Sequence, residues 1–245
     1  MQNYMVVQNT YSEFLGLIEK QLERRDIGFD YYRPFLEQGL PASVGQFDGL
    51  FVLGGACAPG DEECLPYHDD VLRVIQLFQK AQRPVTGIGL GGLLVAEAVG
   101  GQARAEPEYT AGFVNARKTP AGEGDALAEA LDGRQLFVLY HGSVSLPEGV
   151  EPILVDDEGR WLAIRSDRNT YGMLFRPEMK PGMLEDIIME DGHNPPPDIG
   201  DLLGEARMNW GEMQEVTDKV VVALVSELGL MRERRKTPVF SLKVE

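Results

Sequence analysis

The run Arg83-Pro-Val-Thr-Gly-Ile-Gly-Leu-Gly-Gly-Leu-Leu-Val-Ala-Glu-Ala-Val-Gly-Gly101 constrains this chain more than any other stretch. Residues 85–88 read as a short buried strand that enters a glycine turn with no connecting loop. A helical pattern leaves the turn at once, with Leu90, Leu93, Leu94 and Ala98 on one face. A strand that passes directly into a helix belongs to a sheet that is mainly parallel and covered by helices on both faces. Strand, tight turn and helix N-terminus also make the geometry of a nucleophile elbow, which normally centres on an exposed Ser or Cys. Gly89 stands at the centre here. The pattern predicts an elbow without a nucleophile.

The rest of the chain extends that alternation. Residues 4–8 read as a first strand and residues 11–25 as an amphipathic helix with Phe14, Leu15, Ile18 and Leu22 facing a sheet. Strands follow at 27–32 and 46–55, the second ending in Gly54-Gly55. An acidic Gly/Pro loop, 56–67, leads to a helix over 69–81 with Leu72, Ile75 and Phe78 on one stripe. Beyond Gln102 the pattern changes to short strands at 112–118, 135–140, 152–155, 161–165 and 171–175. Residues 183–190 read as a short helix, 191–211 as a loop or linker carrying Pro195-Pro-Pro197, and 212–230 as a closing helix. Residues 231–245 form a tail whose 239–244 segment suits an edge strand or a partner-binding role. The charged stretch 125–131 reads as a solvated helix face.

With 245 residues, 43% of them hydrophobic, the chain can bury a sizeable core, and 1–245 reads as a single domain. A net charge of −16 argues against nucleic acid or an anionic membrane as partner, because both would be repelled. The N-terminus lacks a basic region followed by an apolar core, and apolar runs such as 220–225 are too short to span a bilayer. Cys57 and Cys64 share one loop with no disulfide framework around them. The expectation is a reduced, cytoplasmic protein.

Three separated stretches resemble class I glutamine amidotransferases. Phe47-Asp-Gly-Leu-Phe-Val-Leu-Gly-Gly55 is similar to the strand and glycine pair that lead into that family's oxyanion loop. Residues 84–101 resemble its elbow strand, elbow and helix. Tyr171-Gly-Met-Leu-Phe-Arg-Pro-Glu178 resembles the strand carrying its catalytic His-Pro-Glu, and His141-Gly-Ser-Val-Ser-Leu-Pro147 is a weaker match to a His-containing loop. The resemblance covers residues 4–190 and implies a flavodoxin-like α/β architecture with additional short antiparallel strands. It also implies a Cys thiolate attacking a glutamine carboxamide, a His that activates it, a Glu that orients the His, and backbone N–H groups that hold the oxyanion. Those positions fall on Gly89, Arg176 and Glu178. Gly89 can form no thioester, and Arg176 stays protonated at physiological pH and cannot serve as a base. Thr110 stands where the family often has a Glu. Glutaminase activity is therefore not expected, and the resemblance implies no cofactor.

Two readings of the altered site remain open at this level. In one, Gly54, Gly55, Gly89, Leu90, Gly91, His141 and Arg176 line a pocket converted to holding a small carboxylate or phosphate, with the Arg176 fork and the helix N-terminus supplying positive charge. In the other, Arg176 pairs with Glu178, since alternate residues on a strand share a face. The functional expectation is a binding or regulatory subunit, partnered with a synthetase or transferase or with a second copy. The alternative is an enzyme of relocated chemistry acting on amide or γ-glutamyl substrates, with Cys57 as nucleophile and His68 or His141 as base. Acidic neighbours Asp61-Glu62-Glu63 work against a reactive Cys57 thiolate. Cys57, Cys64 and His68 lack the paired spacing of a metal site, so no metal is expected.

Overall fold

The computed structural model describes residues 2–190 and 198–230, the side chains of 105–108 excepted. In chain order the elements are β1 (Gln2–Val7), α1 (Leu17–Glu23), β2 (Ile27–Tyr32), β3 (Gly49–Val52), α2 (His68–Lys80), β4 (Val85–Ile88), α3 (Leu90–Ala98) and β5 (Gln102–Asn115). There follow β6 (Arg117–Lys118), α4 (Ala126–Leu131), β7 (Gln135–Ser145), β8 (Pro152–Val155), β9 (Trp161–Asp167), β10 (Thr170–Met173), α5 (Pro181–Met189), α6 (Ile199–Met208) and α7 (Trp210–Leu228).

Eight strands form one sheet in the order β2-β1-β3-β4-β10-β9-β8-β6. The run from β2 to β10 is parallel, and β9, β8 and β6 add antiparallel pairs at one side. β3, β4 and β10 are buried at every position, as strands covered on both faces must be. Helices α1 and α4 pack against α7, whereas α2 packs against α3, which lies over β4 and β10. The chain runs from β1 to β2 on one side and returns to β3 on the other. That reversal opens a crevice at the carboxyl ends of the strands, the usual location of a site in an open α/β sheet. A two-stranded ribbon, β5 with β7, stands beside the sheet.

Two local features shape the elbow. Gly89 sits at φ 57° and ψ −118°, a conformation that side chains disfavour, and caps α3. A Cβ at Gly91 would overlap the carbonyl oxygen of Val52, so only glycine lets α3 begin this close to β3.

Several expectations are corrected. The helix expected over 11–25 is confined to Leu17–Glu23. Gly16, at φ 50°, cannot continue it, and the Leu17 N–H donates to the carbonyl of Glu178 at 2.9 Å. Residues 11–15 instead form a loop that carries Glu13 into the interior. The segment 191–211, expected as a linker, contains α6 and the start of α7. Ile199, Leu202 and Ala206 are buried on one face of α6, and Ile199 and Ala206 join a second apolar cluster with Met183, Leu184 and Met213. Residues 191–197, and the 231–245 tail with its proposed edge strand, lie outside the described residues. The stretch 125–131 is not simply a solvated face. Asp125 is 5% exposed, caps α4 through the N–H groups of Leu127 and Ala128, and binds Arg165 and the Tyr171 hydroxyl. Among the described residues no helix is long and apolar enough to cross a membrane.

Candidate functional site

The crevice meets the elbow at the carboxyl end of β4. After β10 the chain continues through Leu174 and Phe175, and β7 holds that extension. Val138 bridges to Phe175, and the Arg176 N–H donates to the Phe137 carbonyl at 2.8 Å. This tether turns the Arg176 side chain towards Gly89. A Cβ at Gly89 would lie 3.0 Å from Arg176 Cδ, so the guanidinium arm occupies the space beside the elbow where a nucleophile's side chain would begin.

Arg176 is almost wholly buried and fully engaged. Its Nε donates to Glu178 Oε1 at 2.6 Å, its Nη1 donates to the Leu139 carbonyl at 3.0 Å, and its Nη2 donates to Glu13 Oε2. Burial opposes the charge on Arg176, but the fields of Glu13 and Glu178 outweigh it and raise its pKa further. Burial pushes the Glu178 carboxyl up, with Arg176 pulling it back only in part. Gly54 completes the arrangement, because a Cβ there would run into Glu13 Oε2 and the guanidinium carbon. Gly55 is hemmed in by Leu90 and by Asn9, whose Nδ2 donates to the carbonyls of Leu53 and Gly54 at 2.9 and 3.2 Å.

The two open readings of Arg176 therefore resolve towards pairing, and with two carboxylates rather than one. A guanidinium held between Glu13 and Glu178 offers no free positive charge, which corrects the expectation of an Arg176-based anion pocket. The Gly91 N–H is also spent, donating to the Leu53 carbonyl at 3.1 Å, so it cannot serve an anion. Leu90 is buried at the start of α3. His141 follows Leu139 by two residues on β7 but is not among the hydrogen-bond partners of Arg176. Its ring stacks on Tyr109 at 4.9 Å between centroids, while the Tyr109 hydroxyl donates to the Ala56 carbonyl at 2.9 Å. Burial first, and then the field of Glu13, push the Tyr109 hydroxyl up to about 12. His141 Nε2, Asn9 Oδ1 and Glu178 Oε2 are buried without a hydrogen-bond partner among the described residues.

The relocated-nucleophile alternative is corrected as well. Cys57 and Cys64 form a disulfide, with Cα atoms 5.6 Å apart, and no cysteine is free. The turn between them closes because the Leu65 N–H donates to the Asp61 carbonyl and the Cys64 N–H to the Asp61 carboxylate. A disulfide sulfur is not a thiolate and cannot attack a carbonyl. His68 is drawn elsewhere, with Nε2 on Glu97 at 2.8 Å and Nδ1 on Asp69 at 3.0 Å. No group of three or more metal-ligating side chains occurs among the described residues.

Sequence reasoning missed Glu13, Asn9 and Tyr109. An acid between Ser12 and the apolar pair Phe14-Leu15 was the available signal for Glu13. The helical reading of 11–25 gave a role to Phe14 and Leu15 and none to Glu13.

The family model of class I glutamine amidotransferases matches residues 6–193. The glutamine amidotransferase-like protein YfeJ of Salmonella typhimurium is 33% identical over 126 residues, a match that takes in 50% of this chain and only 52% of that relative's length. A glutamine amidotransferase of Methylobacillus flagellatus shares the fold at a TM-score of 0.79, with 22% identity over 93% of this chain and 96% of that one. A Thermoplasma acidophilum protein assigned to GMP synthase superposes at a TM-score of 0.58, with 15% identity over 95% and 98% of the two chains. The matched span and the elbow, oxyanion-strand and His-Pro-Glu-like segments within it establish that the chain belongs to the class I glutamine amidotransferase family.

Proposed function

We propose that this chain is a class I glutamine amidotransferase domain that no longer hydrolyses glutamine and works as a non-catalytic binding or regulatory subunit. The observation that carries this reading is the buried Glu13–Arg176–Glu178 cluster packed against Gly89. Hydrolysis through this site would need a thiolate to form a thioester and a neutral base to receive its proton. Glycine supplies no sulfur, and an arginine whose pKa is raised between two carboxylates cannot accept a proton. The Glu178 carboxylate that would orient a histidine is bound to the arginine instead.

A partner follows from the same reading. A domain that keeps the fold while losing the chemistry retains surfaces rather than turnover, and a synthetase or transferase subunit, or a second copy of this chain, fits that role. The fold likeness to a protein assigned to a synthase supports it. The test is ammonia release from glutamine, with p-nitroaniline release from γ-glutamyl-p-nitroanilide as a second substrate. No release above buffer is expected from the native chain. Turnover that survives purification and disappears in Glu178→Gln would overturn the reading.

A further inference from the structure

A second cavity, of about 380 Å³, opens on the far flank of α3. Its volume is that of a small-molecule site. None of Asn9, Glu13, Gly89, His141 or Arg176 lines it, so it is separate from the elbow cluster. Leu93, Val144 and Leu174 line it from α3, β7 and the extension of β10, and all three are buried. Trp161, at the start of β9, adds an indole that is half-buried. Its Nε1 donates to the Val144 carbonyl at 3.0 Å, which fixes the plane of the ring.

Two arginines stand at this pocket, and they differ in kind. Arg160 is committed, with Nε on Asp156 at 2.7 Å and Nη1 on Glu158 at 3.4 Å. Arg104, on β5 in register with Ser143 of β7, has no hydrogen bond or ion pair from its guanidinium among the described residues. Arg104 stands exposed beside the apolar lining, on a chain where carboxylates outnumber basic groups 39 to 23. The cavity between Glu123, Asp125 and Glu151 has the opposite character, since its Arg165 already binds Asp125 and Glu227.

We propose that the pocket binds a small arylalkyl monocarboxylate, its head paired with Arg104 and its ring against Trp161. A planar carboxylate matches the fork of one free guanidinium. Arg160 is already committed to carboxylates, so the pocket offers one unpaired cation and suits a head group of single charge. The partly exposed Leu146 and Pro152 beside Trp161 take the remainder of the ring and chain, over a floor of Leu93, Val144 and Leu174, and binding buries their remaining apolar surface. This assignment does not depend on whether the elbow is catalytic.

The probes are phenylacetate and 3-phenylpropionate, with neutral phenylacetamide as the uncharged comparison. Binding is followed by calorimetry and by tryptophan fluorescence in a Trp210→Phe background, where Trp161 is the remaining indole. Saturable binding of a carboxylate is expected, about tenfold weaker in Arg104→Gln and about tenfold weaker for the amide. Arg104 is exposed and unpaired among the described residues, so the variant should melt with the native chain, and the melting curve verifies that. Absence of saturable binding by either carboxylate would overturn the proposal. So would equal affinity in Arg104→Gln, or for the amide.

Discussion

At the scale of single residues, Arg176 is a structural centre, buried and held between Glu13 and Glu178. Removing it leaves Glu13 and Glu178 buried and without their partner. Arg176→Met should therefore cost about 3–5 kcal/mol in denaturant unfolding, whereas replacing all three groups with apolar side chains should recover most of that loss. The pH dependence of the single variant follows in sign. Burial already holds the Glu178 carboxyl above its ordinary value, and without the guanidinium nothing pulls it back. Its contribution is then present at low pH and lost as pH rises through the native value, so Arg176→Met should gain stability relative to the native protein as pH falls towards the ordinary carboxylate range. A melting series that moved in the opposite direction would show that the carboxylates are paired elsewhere. Gly89 at the elbow and Arg176 two residues before Glu178 were legible in the sequence, because both fall within recognisable motifs. Glu13 was not legible. Its role depends on a loop at 11–15 that crosses 163 residues of sequence separation to meet Arg176, and no local period reports such a contact.

At the scale of elements, every strand of the parallel half of the sheet was legible, though β1 and β10 begin and end earlier than expected and β3 is shorter, at Gly49–Val52. β2 and β4 have the bounds their apolar runs suggested, and β4, buried on both faces, carries an unbroken signal. α6 was hidden for the converse reason. Gly200 and Gly204 and the preceding prolines speak for a loop, while tertiary burial of Ile199, Leu202 and Ala206 decides for a helix. The pair α2 and α3 carries a pH-sensitive clamp. Burial pulls the His68 imidazole down, but the hydrogen bonds its ring nitrogens donate to Glu97 and Asp69 outweigh it, and the net shift is above the ordinary 6.5. Stability from a raised imidazole is present below that ordinary value and lost as pH rises through the native one. The native protein should thus lose roughly 0.5 kcal/mol across that window, a modest amount because the pair is partly solvated. His68→Gln should lack this component, which parallel melts at several pH values would detect.

At the scale of the whole molecule, the chain closes through α7, which packs on α1 and α4, and through the short loop tied by Cys57–Cys64. The disulfide was not expected, since two cysteines in an acidic loop give no pairing pattern. Thiol titration of the denatured, unreduced chain should find no free thiol, and reduction should release two. A loop this short contributes about 2–3 kcal/mol by restricting the unfolded chain, so a lower melting temperature should accompany reduction. The packing of Arg176 against Gly89 has one more consequence, and it concerns what single substitutions can reach. A cysteine placed at the elbow would meet the arginine arm, while a histidine placed at Arg176 would strand two buried acids. Each single step is disfavoured on its own. On the non-catalytic reading proposed above, gaining glutamine chemistry at this site would require two coincident substitutions rather than one.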